Sequence, residues 1–239
     1  MTGGLSRDGE PGLLMLLSTI AGLVDVIGFL QLGHVFTAHI TGNLVLLLAD
    51  AVGAGSPSLA QLLSIPVFAV AVAAAYLIAR RSGPSRGRGE LLVAQALLLF
   101  LALTLALQPR GHPRSPLLLT AMAAVAAMAF QNAFIRLSLH ASWTTSVTTG
   151  NVATAILALV GLLRPVPWTR EKSLRELRAT VPLILGFTTG CLIGATCASR
   201  LGSWAWSIPA ALSVVAVATG TRAPERRHSG RSPLQRTEM

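Results

Sequence analysis

Long apolar runs separated by short polar segments dominate the chain. Leu, Ala and Val make up most of each run. The runs are each roughly as long as the ~20 residues with which an α-helix crosses a bilayer. They cover residues 12–30, 59–79, 91–107, 117–135, 180–199 and 204–219. This pattern predicts an all-α, polytopic membrane protein with about six transmembrane helices.

The composition supports the same class. Of the 239 residues, 52% are hydrophobic and only 12% are charged, which is about half the charged fraction of a soluble domain. The net charge of +10 does not indicate a nucleic-acid partner, because the basic residues lie between and after the apolar runs. Membrane topology and anionic lipid explain basic residues in such positions. We therefore expect the lipid bilayer as the main partner and no nucleic acid.

Two related motifs interrupt the apolar pattern, "HITGN" at 39–43 and "VTTGN" at 147–151. Each follows an apolar helix with a polar residue near its far end, Asp25 in the first half and Gln131–Asn132 in the second. Each is followed by a connector and two further runs. This order predicts an internal duplication, which is frequent in transporters. The predicted segments are a cytoplasmic N-terminal segment 1–11, a first membrane repeat 12–108, a second membrane repeat 116–220 and a basic disordered tail 221–239.

The positions of Lys and Arg distinguish two topologies. If both TGN segments cross the membrane, there are eight spans and the basic residues divide thirteen to six between the two sides. If the segments dip in and return, there are six spans and the division is sixteen to three. The second arrangement obeys the positive-inside rule better. We therefore expect six spans, cytoplasmic termini and two re-entrant TGN segments from opposite faces, although residues 143–163 are long enough to cross.

These motifs resemble the YoaK-like family of uncharacterised bacterial inner-membrane proteins. The first half of the resemblance lies at Ala21, Gly22, Asp25, Gly33, Val35, Phe36, Thr41, Gly42 and Asn43. The second lies at Gln131, Asn132, Arg136, Thr144, Thr145, Thr149 and Gly150. The resemblance implies a six-span, multi-pass protein of the bacterial plasma membrane. It implies no substrate.

Asp25 is the one acidic residue inside a predicted span. A charged side chain at the bilayer centre costs about 2.5–3.5 kcal/mol on an insertion scale, so Asp25 should face the bundle interior and find donors. It would then either bind a cation or a proton, or cap the break between helices. The expected donors are Thr37, His39, Thr41 and Asn43, or Gln131 and Asn132 across the repeat.

The TGN motifs have two physical explanations. In the first, glycine permits a tight bend, threonine and asparagine cap the half-helix that follows, and its positive end favours an anion. In the second, the motif lets helices pack closely, with asparagine hydrogen-bonded across the bundle. The predicted substrate-binding residues are Asp25, His39, Thr41, Gly42, Asn43, Gln131, Asn132, Thr149, Gly150 and Asn151.

A stripe of small residues, Gly186, Gly190, Gly194 and Ala198, recurs at four-residue spacing in the fifth run. Such a face lets another helix backbone approach closely. The second run offers a matching thin face as its expected partner, either at Ala69, Ala73 and Leu77 or at Ala71 and Ala75.

The chain contains no nucleophile elbow, Walker loop or pair of catalytic carboxylates. We therefore expect no enzyme, catalytic residue, metal or cofactor. The leading hypothesis is a transporter or channel for a small polar solute or ion, with a central site at the TGN segments and Asp25. The alternatives are a membrane enzyme that acts on lipid through Asp25 and His39, and an accessory membrane protein without transport. The sequence is compatible with a monomer and with a homo-oligomer.

Overall fold

The computed structural model describes residues 10–53, 58–109, 115–138, 148–163 and 167–221. Every secondary-structure element in these ranges is a helix. The predicted disordered tail and most of the N-terminal segment lie outside the described residues. The helices are α1 (Glu10–Gln31), α2 (Ile40–Val52), α3 (Leu59–Ala106), α4 (Ser115–Ser138), α5 (Thr148–Leu163), α6 (Pro167–Leu201) and α7 (Ser207–Gly220), with a short 3₁₀ helix, Gly202–Trp206, between the last two.

Within the described ranges, five helical stretches are long and apolar enough to cross a membrane. They are Pro11–Gln31, Leu59–Gly83, Arg86–Ala106, Pro116–Ser138 and Arg170–Gly220. The last has 51 residues, more than twice the ~20 that one crossing needs. The chain is therefore a polytopic helical membrane protein, as the apolar runs predict.

The longest stretch turns back at the 3₁₀ helix. Gln31 at the end of α1 donates a hydrogen bond to the carbonyl of Gly202 (2.9 Å), where φ is +55°. Gly220, at the end of α7, lies beside Leu13 near the start of α1. Thus α7 runs antiparallel to α1, while α6 runs parallel to it, and the stretch crosses twice. Six crossings result, in agreement with the prediction.

The stripe of glycines in α6 packs directly on the backbone of α1. A Cβ added to Gly186 would lie 2.6 Å from the carbonyl oxygen of Met15, and one added to Gly190 would lie 2.3 Å from that of Thr19, so a larger residue does not fit at these two positions. A Cβ added to Gly194 would lie 3.1 Å from the carbonyl oxygen of Leu23 and 2.5 Å from Cγ1 of Val26. The small-residue prediction is confirmed, but its expected partner is wrong. Ala71 and Ala75 are buried on α3, which among the described elements packs on α4 and α7, not on α6.

The polar residues 80–90, which separate two apolar runs, do not form a separate loop but continue the helices on either side. Only Gly83 departs from helical geometry (φ +75°, ψ 172°) within α3. Gly87 then lies against the backbone of Ala79, and Ser82 donates a hydrogen bond to Glu90. Because glycine alone adopts this φ without strain, one residue suffices for the hairpin.

The basic residues at 170–178 do not form a separate helix either. In the structure α6 begins at Pro167 and continues through Pro182 to Leu201. The transmembrane part of α6 therefore carries its own polar extension, and α5 packs on this extension through Gly161 and Ser173.

The first TGN segment enters the bundle and leaves by the same face. After α1 the chain turns at Gly33 (φ +76°) and His34 (φ +61°), and it runs back along α1 to the start of α2. Gln61, in the first turn of α3, donates to the carbonyl of His34 (3.3 Å). Both ends of the segment therefore lie at the end of α1. This re-entrant course is the one predicted. The residues leading into the second TGN segment, 139–147, lie outside the described part of the chain.

Candidate functional site

The carboxylate of Asp25 anchors the re-entrant segment to α1. Its Oδ1 accepts hydrogen bonds from the backbone N–H groups of Thr37 (2.7 Å) and Ala38 (2.8 Å) and from the Thr37 hydroxyl (3.3 Å). Its Oδ2 lies 2.5 Å from Nδ1 of His39. The side chain is almost fully buried, with 3% of its surface exposed. Of the expected donors, Thr37 and His39 bind Asp25, whereas the side-chain amides of Asn43, Gln131 and Asn132 donate to the carbonyls of Phe36, Leu17 and Met128.

Because Asp25 binds Nδ1, the other ring nitrogen of His39 is left for the surroundings. His39 precedes the first turn of α2, and its side chain makes no capping hydrogen bond there. Its ring packs edge-on against Phe187 of α6, with 5.2 Å between centroids, and against Phe36 (6.3 Å). These contacts hold the imidazole between α1, α2 and α6.

Asn43 closes the re-entrant loop instead of capping α2. Its side-chain amide accepts from the N–H of Phe36 (2.7 Å) and donates to the carbonyl of the same residue (2.6 Å). It also donates to the hydroxyl of Ser64 on α3 (2.9 Å). The side chain is fully buried. The capping role expected for this asparagine is therefore wrong, and the cross-bundle hydrogen bond of the alternative explanation is present.

Gly42 does not form the bend expected of it, because it lies inside the first turn of α2. A Cβ there would lie 2.9 Å from the ring of Phe36, so glycine makes room for this aromatic side chain. The bend is made by Gly33 and His34 instead. Thr41, also in the first turn, is exposed.

Two cavities flank His39. The first, here called the central cavity, has a volume of about 450 Å³. Its polar lining consists of His39, Thr41, Asn132, Arg136 and Thr149. The residues come from the starts of α2 and α5 and from α4, so the two TGN helices begin at one shared space.

The second cavity, here called the side cavity, has a volume of about 430 Å³ and is more apolar. Phe29, Phe36 and Phe187 line it together with Asp25, His39, Thr41 and Cys191. His39 and Thr41 line both cavities and therefore lie between them.

In the second half, the predicted residues divide into two groups. Thr149 and Asn132 line the central cavity, and Asn132 also donates to the Met128 carbonyl one turn earlier (2.9 Å). Gly150 is exposed, and Asn151 is buried in the first turn of α5. The TGN residues of this half are thus helical, as in the first half.

Gln131 holds helices together and does not belong to the cavities. It donates to the carbonyl of Leu17 on α1 (2.9 Å) and accepts from Gln95 on α3 (2.8 Å). It is buried to 1% exposure. Its expected pairing with Asp25 is wrong, because α4 runs antiparallel to α1 and brings Gln131 beside Leu17, about two helical turns from Asp25.

Sequence reasoning did not find the contribution of α6 to this region. Phe187 and Cys191 lie one turn apart on α6 and line the side cavity. The signal that points to them is their position between the glycines of the stripe that brings α6 against α1. Among the described residues, no group of three His, Cys, Asp or Glu side chains is arranged to hold a metal ion.

Comparison with known proteins shows the family of this chain. The sequence profile of a family described as "Protein of unknown function (DUF1275)" matches residues 13–219. A 35-residue segment is 71% identical to the UPF0700 transmembrane protein YoaK of Bacillus subtilis (strain 168), and it covers 15% of this chain and 16% of that protein. No solved structure matches. Because the profile covers most of the chain, the protein belongs to the DUF1275 family, to which the YoaK-like resemblance also pointed.

Proposed function

We propose that this protein is a transporter or channel for a small polar solute in the bacterial plasma membrane, with a binding site in the central cavity. The observation that carries the proposal is the shared lining of that cavity by the starts of α2 and α5. Irregular backbone at membrane depth is tolerated where it is buried in protein or lines a wet cavity. Broken helices that meet inside a bundle are the arrangement in which many transporters bind substrate.

The packing of the two predicted repeats supports the proposal. The first helix of one repeat, α1, packs on α6, and the first helix of the other, α4, packs on α3. Each opening helix thus contacts a spanning helix of the opposite repeat. Rocking of one repeat against the other would then open the shared cavity to either face, as in alternating access.

The distribution of basic residues supports cytoplasmic termini. The hairpin of α3 carries Arg80, Arg81, Arg86 and Arg88, and the polar extension of α6 carries Arg170, Lys172, Arg175 and Arg178. Gly89 in that hairpin lies beside Thr221, at the face where α1 begins. Arg200, near the end of α6, lies toward the opposite face. The positive-inside rule assigns the basic face to the cytoplasm.

Transport fits the site better than catalysis does. An enzyme of the Asp–His type requires a nucleophile within reach of the imidazole. The thiol of Cys191, which lines the side cavity, donates a hydrogen bond to the carbonyl of Gly22 (3.5 Å). Both carboxylate oxygens of Asp25 are bound by residues of the re-entrant loop. The buried carboxylate is therefore explained by the fold of that loop, without a reaction.

Thr41→Trp should abolish uptake because the indole would fill space shared by both cavities. Val45→Trp on the same helix is the matched control, since Val45 is 67% exposed on the outer surface. Proteoliposomes are incubated with a defined mixture of amino acids, carboxylates, sugars, polyamines and inorganic ions, and their contents are measured by mass spectrometry. At least one component should accumulate with the wild type and with Val45→Trp, but not with Thr41→Trp. Accumulation of no component, or equal accumulation with all three proteins, contradicts the proposal.

A further inference from the structure

Resting on the proposed function, we propose that the solute bound in the central cavity is a small anion, an oxyanion or a short carboxylate, whose charge is balanced by Arg136. The juxtaposition that points to it is a guanidinium and an imidazole lining one cavity to which no described carboxylate contributes.

The central cavity has cationic character. Arg136 lies in the last turn of α4 and lines this cavity together with His39. Asp25 binds His39, which lines this cavity, but the carboxylate itself lines the side cavity. Both of its oxygens face the Thr37–His39 backbone and ring. The carboxylate of Asp25 is thus bound by the re-entrant loop and does not neutralise the charge of Arg136.

Arg136 has no carboxylate partner among the described residues. The ion pairs found in that part of the chain are His39 with Asp25 and Lys172 with Glu176. Arg136 is exposed at the end of α4, so the protein does not desolvate its guanidinium and a ligand that enters the cavity can reach it. An anion in the cavity would supply that partner, and guanidinium groups bind carboxylates and phosphates through two parallel hydrogen bonds.

The remaining polar lining consists of groups that can donate to an anion. Thr41 and Thr149 bring hydroxyls from α2 and α5, and Asn132 brings an amide one turn before Arg136. The start of α2 adds weakly to this, since no side chain caps it and uncapped N–H groups at a helix start favour negative charge. The selectivity of the site would follow from Arg136 and these donors acting together.

The volume limits the size of the ligand. A cavity of about 450 Å³ lies near the lower end of the range, roughly 300–1,000 Å³, that small-molecule sites occupy. Phe68, Val72 and Ala133 make one wall apolar, which suits the short alkyl part of a monocarboxylate. Large anions such as nucleotides should be excluded.

The test measures anion binding by thermal unfolding of the purified full-length protein in detergent. The probes are sodium phosphate, nitrate, acetate and succinate, each compared with sodium chloride at equal ionic strength, together with choline chloride and glycerol. A ligand that binds the folded state raises the unfolding temperature in a saturable way. We expect this for at least one of the four anions and for neither choline nor glycerol.

Three variants separate a specific site from a general salt effect. Arg136→Gln should weaken the apparent affinity by at least about tenfold, as loss of a charge-assisted contact does. Arg136→Lys should retain part of it because the charge is kept. Arg200→Gln is the matched control, an exposed arginine at the far end of α6, and it should bind like the wild type. Equal stabilisation of Arg136→Gln and wild type, stabilisation by choline or glycerol alone, or no saturable effect of any anion would overturn the inference.

Failure of this inference is distinguishable from failure of the proposed function. Uptake of a neutral or cationic solute that Thr41→Trp abolishes leaves transport standing and removes the anion. Saturable, Arg136-dependent anion binding without uptake of any solute leaves the anion site standing and removes transport.

Discussion

Asp25→Ala should leave little folded protein in the membrane. Removal of the carboxylate deprives the N–H groups of Thr37 and Ala38 of their acceptor inside the bundle. Each buried donor left unpaired costs about 1–3 kcal/mol, so the two together cost about 2–6 kcal/mol, a large part of the roughly 5–15 kcal/mol that stabilises a typical protein. The measurement is the yield of monodisperse protein after detergent extraction, together with its unfolding temperature.

Asp25→Asn is the informative companion to that variant. Its side-chain oxygen can still accept from the Thr37 and Ala38 amides, so most of the anchoring of the loop survives. The amide nitrogen, however, faces Nδ1 of His39 and forces the imidazole into the opposite tautomer, without a negative charge beside it. We expect folded protein close to the wild-type yield but uptake reduced to background. Equal yields from the alanine and asparagine variants would show that Asp25 does not anchor the loop.

Gly190→Ala should separate α1 from α6. The added Cβ would lie 2.3 Å from the carbonyl oxygen of Thr19 and 3.0 Å from its carbon, and both are backbone atoms that cannot rotate away. The helices must therefore move apart along the seam, and overpacking of this kind costs about 1–3 kcal/mol. Gly190→Leu should be worse and should prevent folding. Thermal unfolding in detergent measures both effects.

Gly12→Ala is the matched control for the seam. A Cβ at Gly12, in the first turns of α1, meets nothing within 4 Å. Since alanine favours a helix by up to ~1 kcal/mol over glycine, this variant should be at least as stable as the wild type. A Gly190→Ala protein that unfolds at the wild-type temperature would contradict the close packing of α1 on α6.

The features that the sequence predicted well depend on composition and spacing. The length of the apolar runs predicted the spans, and the positions of the basic residues predicted the re-entrant course of the first TGN segment. The four-residue spacing of Gly186, Gly190 and Gly194 predicted a face on which another helix packs closely. The lone acid, Asp25, is buried as expected. These properties follow from the bilayer as a solvent and need no knowledge of which helices are neighbours.

The features that the sequence did not predict depend on neighbours. The glycine seam has its partner on α1, and Gln131 binds Leu17, because helix order in the bundle is set by packing between residues more than a hundred positions apart in the sequence. The TGN motif was misread for a different reason. Asn43 makes its hydrogen bonds to Phe36, seven residues earlier, and such a loop closure cannot be told from a helix cap by composition.

The tight turns also had weak signals. The α3 hairpin needs only Gly83, although ten polar or small residues surround it, and the loop after α1 turns at His34 with positive φ. A non-glycine residue in that region is uncommon, so the pattern favoured Gly42 as the bend. In the structure, Gly42 instead packs against the ring of Phe36.

The most direct measurement is a chemical cross-link between the starts of α2 and α5. Thr41 and Thr149 line the same cavity, and the other cysteines, Cys191 and Cys197, are first replaced by alanine. Thr41→Cys with Thr149→Cys should then be cross-linked within one chain by a short bis-maleimide, whereas Thr41→Cys with Val160→Cys, on the exposed surface farther along α5, should not. Labelling of both single cysteines at 41 and 149 without any cross-link between them would contradict the meeting of the two segments in one central cavity.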